Sequence, residues 1–348
     1  MKKVATLLVA MTLLLSACSG DKGGEDTPPD TRPIPTPTPE PLPEKNVLFF
    51  LAGTDLYITD TGKETTELLE ELGTTDVSIS PDGSRYAFSG GPERPHLNVT
   101  RVGEKSSIEL PGYSPSWSPD GKYLAAVVPD PNYLICDAKA QKAAATNSRK
   151  GCDVAGRAVA YDAHNLQKDP QAAVGAGLWE VVGWSAGKIV VYDEEEDVLS
   201  VGKPGGGNAA RVVLPDPGPL SIDPVELRVL ATQSQLLYIG DPTELHPVSV
   251  SGTVDFTAWS PNGTKALLAV TDGVARDLRI FDVETGEVKP VEGSKNLVGT
   301  VVWSNDGETF AMVTGKKRSL RATLCNLALT CEKLFKSDGA IDLIYLDS

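Results

Sequence analysis

The side chains that most often carry chemistry are few in this chain and widely spaced. Its three histidines, His96, His164 and His246, fall in separate stretches of alternating apolar and polar residues, at or near predicted outer strands, so they offer no converging metal or acid–base cluster. A serine nucleophile would need the G-x-S-x-G elbow, which does not occur. Glu194, Glu195, Glu196 and Asp197 offer carboxylates to a cation, but they are consecutive and lack the alternating ligands and central glycine of a calcium loop. A solvated turn between strands accounts for them better. Gly205-Gly206-Gly207 is not followed by Lys-Ser/Thr and reads as a flexible turn. From the residues alone the expectation is a protein with no catalytic residues, no metal site and no cofactor.

The cysteines are more informative. Lys2 and Lys3 precede an apolar core over residues 4–15, too short to span a bilayer as a helix, and this reads as an export signal. The following Leu15-Ser16-Ala17-Cys18 resembles the bacterial lipobox. That resemblance implies cleavage before Cys18, lipid on Cys18, and attachment to a membrane; a plain secretory signal with a chance cysteine is the alternative. Ser19 stands where an Asp would favour inner-membrane retention, so the resemblance implies the outer membrane if the host is Gram-negative. The expected organisation is a signal peptide over 1–17, a lipidated, Pro-rich tether over 18–44 and a single domain over 45–348. The tether has almost no large apolar side chains and cannot bury a core.

Four cysteines remain, and an even number in an exported chain suggests disulfides: Cys136 with Cys152 and Cys325 with Cys331. Zinc is the rival, but no histidine neighbours either pair and no CxxC occurs. The formal charge of -15, more negative still once Lys2 and Lys3 are removed, makes nucleic acid a poor partner.

The elements that hold these residues are set by a repeated phrase: Ser80-Pro81-Asp82-Gly83, Ser118-Pro119-Asp120-Gly121, Ser260-Pro261-Asn262-Gly263 and Ser304-Asn305-Asp306-Gly307. Each copy follows an apolar or aromatic residue (Ile79, Trp117, Trp259, Trp303) and precedes an apolar run. Pro presets φ, Asp or Asn accepts backbone hydrogen bonds, and Gly supplies positive φ, so each phrase reads as a tight turn between strands. Degenerate copies at Ser185 and Ile222 complete six anchors at spacings of 38, 67, 37, 38 and 44 residues. A unit of about 40 residues suits a four-stranded propeller blade, and the 67 is one unit plus an insertion. The pattern resembles the WD40-like (PD40) repeats of the TolB-type β-propeller family over residues 46 to 348, although the resemblance is nearly silent on activity.

The expected fold is therefore all-β, a seven-bladed β-propeller, with six blades as the alternative should one degenerate anchor be false. The stretch after the tether holds three strands with no first strand, and residues 340–346 form one strand with no hairpin. Together they make a blade that closes the ring by pairing the N- and C-terminal strands. The turn phrases then share one face, and a loop between Cys136 and Cys152 projects from the other. The expected role is a non-enzymatic docking scaffold for an envelope protein or peptide. A carbohydrate- or small-ligand-binding propeller, or an enzyme with an unrecognised site, are the alternatives.

Overall fold

The computed structural model describes residues 47–60, 66–90, 95–136, 152–206, 209–214, 217–233, 235–316 and 319–347. The expected signal peptide, Cys18 and the expected tether lie outside the described residues. Within them every regular element is a strand, and the strands form seven four-stranded antiparallel sheets. Six sheets are continuous in sequence. These are blade 2 (77–111), blade 3 (113–177), blade 4 (180–213), blade 5 (220–248), blade 6 (253–290) and blade 7 (297–337). Blade 1 is composite: the C-terminal strand Asp342–Asp347 lies innermost, beside Val47–Ala52, then Asp55–Asp60 and Thr66–Glu71. Leu48 stands opposite Leu346 and Phe49 opposite Tyr345. Seven blades and closure by the two chain ends follow directly. The inner strands contact one another in an unbroken circuit, from blade 1 through blade 7 and back.

A sheet in this arrangement is covered on both faces by its neighbours. That is why second strands read as continuous apolar runs instead of alternating ones: Leu124 to Val127, Ile189 to Val191 and Ala266 to Val270 are all fully buried. The apolar side chains gather into seven clusters, one in each seam between blades. The core is thus a ring of seams with no common centre.

The tryptophans that precede the turn phrases stitch these seams. Trp117 packs on Ala87, Leu97 and Leu110 of blade 2. The indole N–H of Trp184 donates to Ser116 O at 2.9 Å, that of Trp259 to Ser221 O at 3.3 Å, and that of Trp303 to Ala258 O at 3.0 Å. Each bond reaches from one inner strand to the inner strand of the preceding blade. It fixes the angle between blades as well as burying the ring.

Candidate functional site

The turns between first and second strands lie on one face, and in the four clear copies the Ser hydroxyl and the Asp or Asn side-chain oxygen bond within their own turn. Ser80 Oγ donates to Asp82 Oδ1 at 2.6 Å, Ser118 to Asp120 at 2.8 Å, Ser260 to Asn262 at 2.8 Å and Ser304 to Asp306 at 2.6 Å. Each serine oxygen also accepts the backbone N–H that opens the second strand, as from Arg85 at 2.9 Å and Thr309 at 3.0 Å. Gly83, Gly121, Gly263 and Gly307 all have φ between 67° and 73°, the left-handed region that closes the turn. Burial raises the Asp82 and Asp120 carboxyls, but the hydrogen bonds from Ser80 and Ser84, and from Lys122 and Ser118, outweigh it, so both sit below their ordinary value.

The two degenerate anchors depart from this scheme in different ways. In blade 4, Ala186 stands where Asp would be, and the buried Ser185 hydroxyl has no partner. In blade 5 the position equivalent to Ser80 is Asp223, one residue later than the Ile222 anchor. Its N–H donates to Arg228 O at 2.9 Å, as Ser80 N does to Arg85 O at 2.9 Å. Asp223 is fully buried and its carboxylate takes Arg228 Nε at 2.7 Å, so an ion pair replaces the hydroxyl. An Asp five residues before an Arg at the start of a strand carries no spacing signature in the sequence, so nothing there announces the pair.

The opposite face carries the largest departure from regular blades. In blade 3 the second strand is Tyr123–Cys136 and the third is Cys152–Asp162, paired from Tyr123–Asp162 out to Cys136–Cys152. Second strands elsewhere are five to eight residues long. The inserted length is therefore largely an extended hairpin, whose third strand starts at Cys152. Arg157 and Asp130, 2.7 Å apart, brace the hairpin where it leaves the blade. The backbone sets Cys136 directly opposite Cys152; residues 137–151 and the side chains of Cys136 and Cys152 lie outside the described residues. Cys325 and Cys331 are joined by a disulfide across the outer hairpin of blade 7.

On the same face, the inner strands of blades 2, 3 and 4 are tied in series. Ser114 N donates to Asp76 Oδ2 at 3.0 Å, Ser89 Oγ donates to the same oxygen, and Val181 N donates to Ser114 Oγ at 3.1 Å. Ser114 pays for this position with φ of 55°, in a strand whose register slips beside it. Burial, then the charges of Glu194 and Asp76, hold the Glu180 carboxyl above its usual value. Glu180 and Glu194 flank a cavity of about 280 Å³ with Val181, Val182 and Leu220. The Glu194–Asp197 run is the turn after the second strand of blade 4, capped by Asp193, which accepts from Glu195 N at 3.1 Å and Glu196 N at 3.2 Å.

His96 lies on a third strand, His246 on an outer strand and His164 in a connection, in blades 2, 5 and 3. Among the described residues no three His, Cys, Asp or Glu side chains converge as metal ligands would.

No known protein family and no curated protein sequence matches the chain. Solved structures do. An acylaminoacyl peptidase from Pyrococcus horikoshii is 14% identical with a TM-score of 0.58, covering 84% of this chain and 51% of its own. An oligogalacturonate lyase in complex with manganese is 11% identical with a TM-score of 0.53, covering 79% and 84%. TolB from Acinetobacter baumannii is 14% identical with a TM-score of 0.49, covering 87% and 66%. The chain thus spans about half of the peptidase and just under two thirds of TolB. At such identities the likenesses to the peptidase and the lyase speak to the fold alone.

Proposed function

We propose that this protein is an envelope lipoprotein, anchored through Cys18, whose propeller is a non-enzymatic docking scaffold for a protein or peptide. The observation that supports this most is the extended hairpin of blade 3. It is braced at its base by Arg157 and Asp130 and stands on a ring with an apolar cluster packed in every seam, on the face away from the turn phrases. Rigid scaffolds that carry one long projecting element are suited to presenting contacts to a partner. Photo-crosslinkers placed along residues 129–135 and 153–156 in cells test the docking role. A discrete crosslinked protein band is the expected result, and crosslinking to nothing but glycan overturns it in favour of carbohydrate binding. Replacing Cys18 with Ala should release the protein from membranes and abolish lipid labelling; unchanged fractionation would sink the anchor.

A further inference from the structure

The outermost strand of blade 2, Ser107–Pro111, is paired on one side only, with His96–Arg101. Beside its other edge runs the connection between the third and outer strands of blade 3, from which Leu166 to Pro170 line the same cavity. An open groove of about 630 Å³ separates them. All five residues of the strand line this groove, with Val128, Tyr161 and Leu166 on the far wall. Successive side chains of a strand point to opposite faces. A groove that touches all five therefore runs along the free edge of the strand.

The backbone gives the same direction. Gly112 N donates to Pro95 O at 3.2 Å, which makes those two residues a hydrogen-bonded pair. Such pairs alternate along an antiparallel ladder. Leu110 and Ile108 thus turn their backbone groups toward the third strand, while Ser107, Glu109 and Pro111 turn theirs outward. Tyr161 marks the outward side, since its hydroxyl donates to Pro111 O at 2.6 Å. The N–H and C=O groups of Ser107 and Glu109 then face the groove with the spacing that an added strand uses.

At its Ser107 end the groove runs into a second cavity of about 350 Å³ that shares Ser107, Ile108 and Leu166. Arg85, Arg101 and His164 line it with one carboxylate, Glu104, and Asp162 stands 3.8 Å from His164 just outside it, so the two arginines carry the positive charge. Arg85 is held in place by a 2.6 Å bond from its guanidinium to Ala163 O. Arg101 and Glu104 stand 4.0 Å apart with side chains 63% and 53% exposed, a weak pair that leaves Arg101 open to a better acceptor. In a chain of net charge -15 this is a local excess of positive charge. Ile108, 39% exposed, adds an apolar contact midway.

We infer that this groove takes an extended segment of a partner protein as an added antiparallel strand on Ser107–Pro111, with acidic side chains at the segment's C-terminal end facing Arg85, Arg101 and His164. The inference rests on the docking reading and narrows it to one edge and one peptide chemistry. The test uses the full-length protein in detergent and blocked hexapeptides of alternating valine and threonine, extended by two glutamates or by two lysines. The glutamate peptide should bind about tenfold more tightly, the equivalent of one or two charge-assisted contacts. It should slow hydrogen exchange at the Ser107 and Glu109 amides and leave the outer strand Glu244–Val248 of blade 5 unaffected. Arg101→Glu should reverse the preference with an unchanged melting temperature, and N-methylation of the strand-facing peptide amides should abolish binding. Equal affinity for both peptides, binding to neither, or protection spread over other outer strands would overturn the inference. If neither peptide binds while the blade 3 hairpin still crosslinks to a protein, the groove assignment falls and the docking reading stands.

Discussion

Asn305 shows how one residue can depart from a repeat for a reason. The other three clear copies have Pro at that position, and the copy in blade 7 faces the one place on the ring where no turn follows, because blade 1 is made from the two chain ends. Asn305 Nδ2 donates across this gap to Pro81 O at 2.5 Å and also to the Tyr345 hydroxyl, which itself donates to Pro81 O at 2.6 Å. Restoring the repeat with Asn305→Pro should therefore destabilise the protein, by about 1–2 kcal/mol for lost partly buried hydrogen bonds. Urea denaturation reads this, and a neutral or stabilising result would remove Asn305 from the closure. Glu180 supports a second prediction at this scale. A carboxyl raised in the folded state adds stability below its unfolded pKa and loses it as pH climbs through the folded value. Glu180→Gln should thus stabilise by about 0.3 kcal/mol at pH 7, the scale of exposed charge pairs, and by nothing near pH 3. Asp82 and Asp120 have the opposite sign. Their lowered values contribute stability above the ordinary carboxylate range, lost as acid protonates them, so Asp120→Ala should flatten the acid limb of a stability–pH curve.

At the scale of elements, the two cysteine hairpins are unequal. Cys325 is buried in the blade 6–blade 7 seam while Cys331 is exposed, so their bond ties an outer strand to a packed one. Removing it as Cys325→Ser with Cys331→Ser closes no alternative loop and should cost about 2 kcal/mol in the chain-entropy picture for so short a span. A melting curve unchanged by reductant would count against that. The blade 3 hairpin has a different expected behaviour. Its base is held by Arg157 and Asp130, a partly exposed pair, and its inner half is part of the seams, so Arg157→Ala should cost no more than about 1 kcal/mol in urea denaturation. The turns were legible residue by residue because Ser, Pro, Asp and Gly each perform a separable task there. The extended hairpin was legible only as surplus length, since strand pairing beyond Val128 is decided by cross-strand partners that no local pattern specifies.

For the whole molecule the decisive contact is the composite blade. The strand Asp342–Asp347 supplies the innermost position beside Val47–Ala52 and bridges to Ser304 of blade 7. Truncation before Asp342 would open two seams at once and expose Leu48, Phe50, Val313 and their neighbours. Loss of a single cooperative transition in circular dichroism is the expected outcome; a truncated chain that melts like the intact one would show that the ring does not depend on closure. The groove beside Ser107–Pro111 belongs to this scale as well. Nothing in the sequence joins residues 85, 101 and 164 with that strand, because they meet only when the connection of blade 3 lies across the edge of blade 2.

The repeat unit, the turn chemistry and the need for the chain ends to share a blade were determined by the sequence alone, because each follows from local backbone preferences and from counting strands; the choice of seven blades over six was made by the structure. Which strand edge stays open, where a carboxylate is buried beside like charges, and which repeat residue bridges the closure were decided by the tertiary structure. These depend on distances between blades, and such distances are set by side chains packing across seams whose partners lie scores to hundreds of residues apart.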